Sequence, residues 1–441
     1  MGMAAAVNHS IPELRGRVLV IGLGITGRAC VRYLRRIGVN VAAADTRDHP
    51  PAVGTLSQDY PDLPLFLGDA AQQAFRSADL VLLSPGIAPS DPVAQAAHGQ
   101  GVPVWGDIEL FSRLASAPVA AITGSNGKSS VTTLVGSMAE KAGRRVGVGG
   151  NLGTPALDLL DDKIDLYVLE LSSFQLETTY SLSAQVATVL NVSPDHLDRY
   201  PSLAAYRDAK ARVFDGAGVQ VVNRDDPLVC AMIRPGRRVL GFTLGNPEPD
   251  QYGLLDQGGE VWLSRGSDRL LRASELNVPG RHNLANALAA LAVGEALGFG
   301  MADMLSAVRD FAGLPHRCQL VSQRGGVSFF DDSKATNVAA AVAAIQGLPG
   351  TIVLIAGGQG KGQDFSPLQA AVATRVRSVI LIGEDAARIT DALGSGVPVL
   401  EATSMDQAVA MAADVARPGD SVLLSPACAS FDMYRNYVER G

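Results

Sequence analysis

The sequence predicts an α/β protein with three domains, and three observations support this fold class. The chain has 441 residues, and at roughly 150 residues per domain this length suffices for about three hydrophobic cores. Short β-branched runs alternate with Ala-rich helical stretches along the chain, a pattern typical of parallel sheets. Turn residues near Gly106 and at 313–315 separate the strands into three sets. We therefore expect domains at residues 1–106, 107–313 and 314–441, the first and the last of them Rossmann-like.

The predicted strands follow in chain order. The first and second sets comprise residues 17–21, 39–45, 80–86, 118–124, 166–172, 187–193 and 219–223. The third set comprises residues 327–333, 351–358, 378–384 and 421–426. Residues 240–273 differ, because the runs GFTLG, EVWLS and RLLRA alternate around Gly-rich turns and predict antiparallel hairpins. The central domain is therefore expected to combine a parallel sheet with a small antiparallel sheet.

Composition excludes some classes of function. The 44 acidic residues outnumber the 37 basic ones and give a net charge of −7, whereas general binding to nucleic acid needs a positive field. Small anions remain possible ligands, because backbone N–H groups and a few cations can hold them locally. The four cysteines lie far apart with no CxxC pair. This spacing argues against a disulfide framework or a zinc site and favours the reducing cytoplasm.

Two segments bear on membrane targeting. The N-terminus, MGMAAAV, has no charged region ahead of a long apolar run, so we expect no signal peptide. Residues 335–360 contain no charged residue, yet Asn337, Gln346 and the turn at 347–350 interrupt the apolar run. A buried helix, a turn and a strand are expected there, because a membrane span needs about 20 predominantly apolar residues.

The first motif is Gly22-x-Gly24-x-x-Gly27, between a predicted strand and a predicted helix. Its glycines allow a tight turn and the close approach of a ligand, and the helix N-terminus favours an anion. Asp45 ends the next strand, where an acidic residue of NAD-binding domains contacts a ribose hydroxyl. The motif indicates a nucleotide-like ligand without identifying NAD. A tight turn that binds nothing is the alternative.

The second motif is Thr123-Gly-Ser-Asn-Gly-Lys-Ser129, a P-loop variant that again joins a strand to a helix. Loop N–H groups would hold phosphates, Lys128 would neutralise the β- and γ-phosphate charge, and the Ser129 hydroxyl would face Mg²⁺. Ile122 replaces the first glycine of the strict pattern. The strand–helix setting nevertheless favours ATP, so we expect the central domain to be a P-loop-type ATPase domain.

Three further residues of the central domain are candidates for chemistry. Glu170 ends a strand where a carboxylate can meet Mg²⁺, although a solvated strand end is the alternative. His196 also follows a strand, but a lone histidine is more often structural. Lys210 falls within the apolar stripe of a helix, where a lysine usually extends its ammonium to solvent. The alternative is a desolvated lysine, whose amine is neutral and nucleophilic.

Polar residues farther along the chain indicate additional ligand contacts. Asn283 and Asn286 share a helix face and can bind a ligand, although helix capping would explain one of them. Arg317 lies at the second domain boundary, where it can bring a cation across a cleft. The loops at 331–337 and 357–361 follow strands, and ligands of such sheets bind outside the carboxyl ends of the strands.

Strings distributed over essentially the whole chain carry a family resemblance. They are GLGITG, SPGIA, GDIELF, GSNGKS, GGNLGTPAL, LELSSFQLE, DHLDRY, GLPHR, DDSKATN and LLSPACAS. In these strings the chain resembles the Mur ligases, the ATP-dependent amide-forming enzymes of peptidoglycan precursor synthesis. It is most similar to the branch that joins D-glutamate to UDP-N-acetylmuramoyl-L-alanine, and it lacks the DNPR motif of the branch that adds a diamino acid.

The resemblance implies a role for each candidate residue. The UDP part of the substrate, rather than NAD, would be bound by Ile25, Thr26, Asp45, Thr46, Arg47, Ser84, Gly86 and Asn151. ATP would be bound by Gly124, Asn126, Gly127, Lys128, Ser129, Ser130, Asn283, Asn286, Arg317 and Asp332. Two Mg²⁺ ions would be held by Ser129, Glu170, His196 and Lys210, the last as a carbamate. D-glutamate would be bound by Thr336, Lys361, Ser430, Phe431 and Tyr437, and the catalytic residues would be Lys128, His196 and Lys210.

The resemblance also implies the reaction, an acyl phosphate formed from a carboxylate and ATP and then attacked by the amine of D-glutamate. We expect a cytoplasmic monomer with small-molecule substrates. Two departures from the family pattern are Tyr437 in the place of a Phe and a chain that ends at Gly441, about where relatives continue with a short helix. The alternatives are an NAD-dependent oxidoreductase, which would depend on Gly22, Gly24, Gly27 and Asp45 alone, and a nucleotide sensor without catalysis.

Overall fold

A computed structural model describes residues 11–278 and 280–441, which form three β-sheets flanked by helices. The N-terminal residues, on which the expectation of no signal peptide depends, lie outside these ranges. Each sheet is largely parallel, so the carboxyl ends of its parallel strands lie along one edge. The α/β class predicted from the sequence is confirmed.

The first sheet has five parallel strands in the order β3-β2-β1-β4-β5, as expected for a Rossmann-like unit. The central strand, β1, is an apolar run that is almost wholly buried, as parallel strands covered on both faces are. The strands are β1 (Arg17–Ile21), β2 (Asn40–Asp45), β3 (Leu65–Leu67), β4 (Leu80–Leu83) and β5 (Val104–Gly106). The helices are α1 (Ile25–Arg36), α2 (Val53–Asp59) and α3 (Pro92–Gly99).

The second sheet has nine strands in the order β14-β13-β12-β11-β10-β9-β6-β8-β7. Its strands are β6 (Val119–Thr123), β7 (Val146–Gly150), β8 (Leu166–Glu170), β9 (Val186–Val189), β10 (Val219–Asn223), β11 (Val239–Phe242), β12 (Tyr252–Gln257), β13 (Glu260–Arg265) and β14 (Asp268–Arg272). Its helices are α4 (Asp107–Leu114), α5 (Lys128–Lys141), α6 (Ser173–Glu177), α7 (Leu203–Ala211), α8 (Pro227–Cys230), α9 (Arg281–Ala296) and α10 (Met301–Asp310).

The antiparallel part of this sheet is the ribbon β12-β13-β14, and it is continuous with the parallel part through the pair Phe242–Tyr252. The run GFTLG was expected to belong to the hairpins, and that expectation is wrong. Its first two residues end β11, which pairs in parallel with β10. The alternation around glycines is typical of a hairpin, but a parallel strand such as β11, which lies between β10 and β12, also ends at such a turn.

The third sheet has six strands in the order β15-β16-β20-β17-β18-β19, with β15 antiparallel to β16 and the other pairs parallel. Its strands are β15 (Gln319–Arg324), β16 (Val327–Asp331), β17 (Ile352–Gly357), β18 (Val376–Ile382), β19 (Val399–Glu401) and β20 (Ser421–Leu424). Its helices are α11 (Val338–Gly347), α12 (Pro367–Arg375), α13 (Ala386–Leu393), α14 (Met405–Val415) and α15 (Tyr437–Arg440).

Short 3₁₀ helices complete the described secondary structure. They are Pro12–Leu14, Gly68–Ser77, Ala156–Leu159, Arg212–Phe214 and Ala273–Glu275. The uncharged segment 335–360 forms α11, a turn and β17, as expected. Within the described ranges, every helix is too short or too polar to cross a bilayer.

The hydrophobic cores join the first two sheets and leave the third separate. One continuous cluster contains Val18 and Leu80 of the first sheet together with Phe111 of α4 and Tyr167 of β8. The rings of Phe111 and Tyr167 pack edge to face with centroids 5.0 Å apart. The third sheet has two apolar clusters of its own. Apolar packing therefore joins the first two units, and the third unit meets the P-loop mainly through polar contacts.

Candidate active site

The P-loop lies where β6 ends and α5 begins, as the sequence predicts. Gly127 precedes the helix with a φ of +84°, a left-handed conformation that favours glycine. A Cβ at this position would lie 2.3 Å from Oδ1 of Asn286, so only a glycine lets the loop approach α9 this closely. The Lys128 ammonium donates to the carbonyl oxygens of Gly124 and Ser125, at 2.9 and 3.0 Å. A lysine folded back over its own loop is placed to neutralise an anion held there.

Ser129 and Glu170 meet at the carboxyl ends of β6 and β8. The Ser129 hydroxyl donates to Oε2 of Glu170 at 2.7 Å, and Nδ2 of Asn151 donates to the other carboxylate oxygen at 2.8 Å. Burial alone would raise the pKa of Glu170, but the Lys128 charge and these two hydrogen bonds bring the pKa below its ordinary value. Glu170 is therefore a buried carboxylate that stays ionised, which answers the question left open by the sequence.

These donors fit a Mg²⁺ ion that shares its ligands with a nucleotide. Mg²⁺ prefers oxygen ligands and is usually held by one or two carboxylates together with substrate phosphates. The Ser129 hydroxyl and the Glu170 carboxylate supply such oxygens beside the phosphate-binding loop. In residues 11–278 and 280–441, no three His, Cys, Asp or Glu side chains come together as a metal cage. The protein thus supplies few ligands to the metal, as is usual where phosphate oxygens complete its coordination sphere.

Lys210 is buried, so the default expectation that its ammonium reaches solvent is wrong. It is 1% exposed, and its Nζ donates to the Gly124 carbonyl at 2.9 Å and lies 4.4 Å from the centre of the Tyr206 ring. Burial first, and then the nearby Lys128 charge, lower the pKa of Lys210 well below its ordinary value. The stripe of α7 faces the P-loop rather than the surface, and for this reason the side chain has no route to water.

His196 and Asp195 lie between the P-loop and the third unit. Burial lowers the pKa of His196 to about 4 against the opposing effect of Asp195, so the imidazole is neutral at pH 7 and available as a ligand. Burial alone would raise the pKa of Asp195, but the Lys361 charge and the hydrogen bonds from Lys361 and Asn337 bring it below its ordinary value. The His196 ring packs against Phe174 with centroids 4.7 Å apart.

A cavity of about 150 Å³ lies beside the P-loop, and we call it the P-loop cavity. Seven of the residues predicted to bind ATP line it, namely Asn126, Gly127, Ser130, Asn283, Asn286, Arg317 and Asp332. The other three, Gly124, Lys128 and Ser129, belong to the loop and the first turn at its edge. Burial raises the pKa of Asp332 to about 7, although Ser425 donates to its Oδ2 at 2.8 Å.

A second cavity, of about 690 Å³, lies between the first and second sheets, and we call it the glycine-loop cavity. All eight residues predicted to hold the UDP part of a substrate line it: Ile25, Thr26, Asp45, Thr46, Arg47, Ser84, Gly86 and Asn151. Asn151 also binds Glu170. One side chain therefore connects this cavity to the Ser129–Glu170 pair.

Asp45 is held by the protein itself. Its Oδ2 accepts from the Leu23 N–H at 2.7 Å and from Arg47 Nη2 at 2.8 Å, while its Oδ1 accepts from Arg47 N and Nε. Burial alone would raise the pKa of Asp45, but the Arg47 hydrogen bonds bring it below its ordinary value. A carboxylate that fixes the glycine loop and Arg47 in this way has little capacity left for a ribose. The ribose contact that the NAD interpretation requires is thus weakened, and Asp45 would serve a UDP group by positioning Arg47.

The residues predicted to bind the amino acid lie on neighbouring loops of the third unit. The loop that carries Lys361 pairs with the loop that carries Ser430 through reciprocal hydrogen bonds between Gln359 and Ala429, at 3.0 and 2.8 Å. The Lys334 ammonium donates to the Tyr437 hydroxyl at 3.1 Å. Thr336 lies two residues beyond Lys334 and is partly buried. Phe431 is 71% exposed and takes no part in these contacts.

Polar contacts bring the third unit against the P-loop. Arg317 Nη2 donates to the Ser129 hydroxyl at 2.9 Å, and Lys361 Nζ donates to Asp195 Oδ1 at 2.9 Å. Asn337 Nδ2 donates to Asn126 Oδ1 at 3.1 Å and to Asp195 Oδ2 at 3.2 Å. The Lys128 and Lys361 loops thus face one another across a single site.

Two residues with a strained backbone conformation lie at the contact between the third unit and the P-loop region. Lys361 and His196 have positive φ values of 51° and 55°, a conformation that costs free energy for residues other than glycine and clusters at functional sites. Both residues contact or adjoin Asp195. The fold therefore holds these two side chains in place at some cost.

Comparison with known proteins agrees with this geometry. Three family models match successive parts of the chain: the Mur ligase MurD-like N-terminal domain over residues 16–106, the Mur ligase middle domain over 122–294, and the Mur ligase glutamate ligase domain over 316–428. The chain belongs to the Mur ligase family. It is 53% identical over 433 residues to UDP-N-acetylmuramoylalanine–D-glutamate ligase of Nitrosococcus oceani, covering 98% of this chain and 96% of the relative.

Another sequence relative supports the same family, and a solved structure supports the same fold. The ligase of the same name from Pseudomonas syringae pv. tomato is 53% identical over 427 residues, covering 96% of this chain and 95% of the relative. Among solved structures, UDP-N-acetylmuramate-alanine ligase of Thermotoga maritima aligns with a TM-score of 0.60 at 20% identity, covering 93% of this chain and 96% of the other. At that identity the alignment supports the fold alone.

Several residues of this Mur ligase site escape sequence reasoning. Gln175 lines the glycine-loop cavity and Lys334 lines the P-loop cavity. Arg199 donates to the Pro85 carbonyl at 2.9 Å and pairs with Glu177, so it ties the His196 segment to the glycine-loop cavity. Gln175, Arg199 and Lys334 all lie inside strings that carry the family resemblance, which is the signal that could have singled them out.

Proposed function

We propose that this Mur ligase joins D-glutamate to UDP-N-acetylmuramoyl-L-alanine in peptidoglycan precursor synthesis, with ATP converted to ADP and phosphate. The observation that carries the proposal is the meeting of three anion-directed sites: the glycine-loop cavity, the P-loop cavity and the Lys361 loop. Two relatives named UDP-N-acetylmuramoylalanine–D-glutamate ligase are 53% identical to this chain over nearly its whole length. A ligase with three anionic reactants needs this convergence, and an oxidoreductase does not.

The first task of the site is to bring a carboxylate to a triphosphate against their mutual repulsion. Lys128 at the P-loop and Arg317 from the third unit bring two cations to the same edge of the second sheet. Fixed charges of this kind stabilise the negative charge that develops as a phosphoryl group is transferred. The substrate carboxylate becomes an acyl phosphate in this way, and the amine of D-glutamate then displaces the phosphate.

Mg²⁺ is the metal that we propose for this site, as two ions held by Ser129, Glu170, His196 and a modified Lys210. When bound, it neutralises phosphate charge and orients the attacking and leaving oxygens. Glu170 is kept ionised by its surroundings, and His196 is kept neutral by burial. Both residues are therefore in the protonation state that a metal ligand requires.

Lys210 is proposed to act as a carbamate. A carbamate forms when a neutral amine adds CO₂, so burial that disfavours the ammonium form also favours the reactive form. The product, formed with release of a proton, would place an anion in the P-loop region where the neutral amine now contacts Gly124. The buried position of Lys210 supports this proposal, because a solvent-exposed lysine would remain protonated.

The D-glutamate site is proposed at Thr336, Lys361, Ser430, Phe431 and Tyr437. Lys361 pairs with Asp195 in this structure, so a substrate carboxylate would take over or share that cation. Tyr437 differs from the family's phenylalanine by a hydroxyl that accepts from Lys334. That hydrogen bond gives the departure a local structural role in the pocket wall.

The remaining expectations stay as proposals. We propose that the protein is cytoplasmic, since its substrates include ATP and its four cysteines are free thiols. We also propose that it is a monomer. The division into domains at residues 106 and 313 is supported by the three sheets. Size-exclusion chromatography with light scattering tests the oligomeric state.

Phosphate release tests the proposed function directly. Purified protein is given ATP, Mg²⁺ and UDP-N-acetylmuramoyl-L-alanine with a panel of amino acids that includes D-glutamate, L-glutamate, D-aspartate and meso-diaminopimelate. We expect release with D-glutamate and a product heavier by one glutamyl residue. Release with only another amino acid would contradict the substrate assignment, and nucleotide binding without release would favour the sensor. Thermal stabilisation by NAD, without any by the UDP substrate, would favour the oxidoreductase.

A further inference from the structure

Arg440 is a buried cation in α15, the last described helix, and it is 3% exposed. Burial lowers its pKa to about 10, so the guanidinium is charged at pH 7. Its hydrogen bonds go to neutral acceptors: Nε donates to Ser333 Oγ at 3.0 Å, Nη2 to Ser333 O at 2.7 Å, and Nη1 to Ala429 O at 3.1 Å. In the described part of the chain, no ion pair includes this residue.

A buried charge without a counter-ion is costly, and proteins usually pair or solvate such a group. The charges of Asp432 and Asp331 act on Arg440, but neither carboxylate forms an ion pair with it. Asp331 itself is paired with His316 at 2.6 Å. The molecule therefore retains a charge here that its own acidic residues do not neutralise by contact.

The guanidinium connects loops that carry the proposed amino-acid site. Ser333 belongs to the loop that continues to Thr336, and Ala429 immediately precedes Ser430. By binding Ser333 and Ala429 together, Arg440 fixes the separation of these two loops.

A third loop is attached through the same acceptor. The Ala429 carbonyl also accepts from the Gln359 N–H at 3.0 Å, in the loop that carries Lys361. Gly358, with a φ of +123°, lets that loop approach, since a Cβ there would lie 2.3 Å from Ala429 O and 3.3 Å from Arg440 Nη1. The Ser333 hydroxyl in turn donates to the Tyr437 carbonyl at 2.8 Å. One buried cation thus contacts two loops of the proposed pocket directly and is linked to the third through the Ala429 carbonyl.

We propose that Arg440 is a positioning residue for the acidic amino acid, holding the three loops in register and placing an uncompensated positive charge behind the pocket. This inference rests on the proposed function. D-glutamate carries two carboxylates, so its binding supplies the anionic charge that the protein lacks around Arg440. The residue acts through the loops, because its own hydrogen bonds are taken by Ser333 and Ala429.

The test uses Arg440→Met, Arg440→Lys and the control Arg435→Met. Arg435 lies five residues earlier, has a side chain that is 85% exposed and pairs with Glu439 at the surface. The KM values for D-glutamate, ATP and UDP-N-acetylmuramoyl-L-alanine are measured by phosphate release, and folding is followed by circular dichroism and thermal unfolding.

We expect Arg440→Met to raise the KM for D-glutamate by about tenfold or more, while the KM values of the other two substrates change by less than about twofold. Arg440→Lys keeps the charge with fewer hydrogen bonds and should give an intermediate KM. Arg435→Met should leave all three KM values unchanged.

Results that would overturn this inference differ from those that would refute the proposed function. An unchanged KM for D-glutamate in Arg440→Met, or an equal rise in all three KM values, would reduce Arg440 to a purely structural residue and overturn the inference. If Arg440→Met does not fold, the same criterion applies to Arg440→Lys. Failure of the unmodified enzyme to release phosphate with D-glutamate would instead refute the proposed function.

Discussion

Lys128 is the side chain on which phosphate binding should depend most directly. Its ammonium lies over the carbonyls of its own loop, where a phosphate would draw it away. Lys128→Ala should lower kcat on the order of 100- to 1000-fold, the loss typical of one fixed electrostatic donor. Steady-state phosphate release measures it. The control Lys141→Ala removes a lysine from the far end of the same helix, where it pairs with Asp310. Equal kcat values in the two variants would refute ATP binding at this loop.

Experiments on Lys210 can decide whether its role is structural or chemical. Lys210→Ala should lose activity, and a short carboxylic acid such as formate should partly restore it, because an anion then occupies the position of the proposed carbamate. Labelling with ¹³C-bicarbonate should give a carbamate carbon resonance in the unmodified protein and none in the variant. A folded variant without rescue, together with no resonance in the unmodified protein, would leave only the contact with Gly124.

Asp107 makes stability depend on pH. It is 2% exposed, Gln175 donates to its Oδ2 at 2.9 Å, and Oδ1 has no partner among the described residues. Burial raises its pKa to about 6 from an ordinary value of 3.8. The folded state therefore binds the proton more tightly, and stability falls as the pH rises between about 4 and 6. The difference between a pKa of about 6 and the ordinary value of 3.8 corresponds to a change in the free energy of unfolding of about 3 kcal/mol at most.

Asp107→Asn removes that titration, and its stability relative to the unmodified protein should rise between about pH 4 and pH 6 and then level off. Urea denaturation midpoints at several pH values measure the difference. Asp62→Asn is the control, because Arg35 lowers the pKa of the exposed Asp62 below its ordinary value of 3.8, so the stability difference from the unmodified protein should not vary between about pH 4 and pH 6. A difference between Asp107→Asn and the unmodified protein that does not vary with pH would contradict the assignment.

At the scale of elements, α11 combines a helix cap with a contact between units. Asn337 Oδ1 accepts from the Ala340 N–H at 2.9 Å, while Nδ2 donates to Asn126 and Asp195. Asn337→Ser keeps a capping oxygen and loses the two donations. We expect a nearly unchanged Tm and a fall in kcat/KM of about tenfold, since 1.4 kcal/mol corresponds to that factor.

Asn337→Ala is the matched variant, because it also loses the cap, worth about 1 kcal/mol. It should lower Tm further than Asn337→Ser while giving a similar kcat/KM. Thermal unfolding and phosphate release on the same preparations separate the two effects. If activity followed Tm across both variants, the contact with the P-loop would have no role of its own.

The elements that the sequence predicts are those with strong local signals. Strands β1, β4, β6 and β17 are apolar runs that end in turns, and they lie where expected. Strands β3, β5 and β19 escape prediction because they have three residues each, and β7 (VGVGG) because glycine masks its β propensity. The strand β15 (QLVSQR) is largely exposed, so its sequence carries little hydrophobic pattern.

In the candidate site, too, the residues that the sequence predicts are those with strong local signals. The P-loop and the glycine loop are local motifs, and the structure brings the predicted residues of each to one cavity. Lys210 is different, because its stripe is compatible with either a surface or a buried interface, and only the tertiary structure decides. Arg440 contacts Ser333 across 107 positions of sequence. No local pattern encodes a contact of that separation.

For the whole molecule, the distribution of apolar surface predicts which part moves. The first two units share one apolar core, whereas the third has cores of its own and meets the P-loop through polar contacts such as Arg317–Ser129 and Lys361–Asp195. Polar contacts between units resemble transient interfaces, for which relative motion is the ordinary expectation. An acyl phosphate also has to be protected from water, which favours closure of the third unit during catalysis.

We therefore expect the radius of gyration in solution to decrease when a non-hydrolysable ATP analogue and UDP-N-acetylmuramoyl-L-alanine are added together. Small-angle X-ray scattering measures the change. Arg317→Ala should weaken the compaction because it removes the contact with Ser129. Arg324→Ala, at an exposed position of β15, should compact like the unmodified protein. If neither ligand nor variant changed the radius, the third unit would be fixed against the P-loop, and substrates would have to enter a permanently closed site.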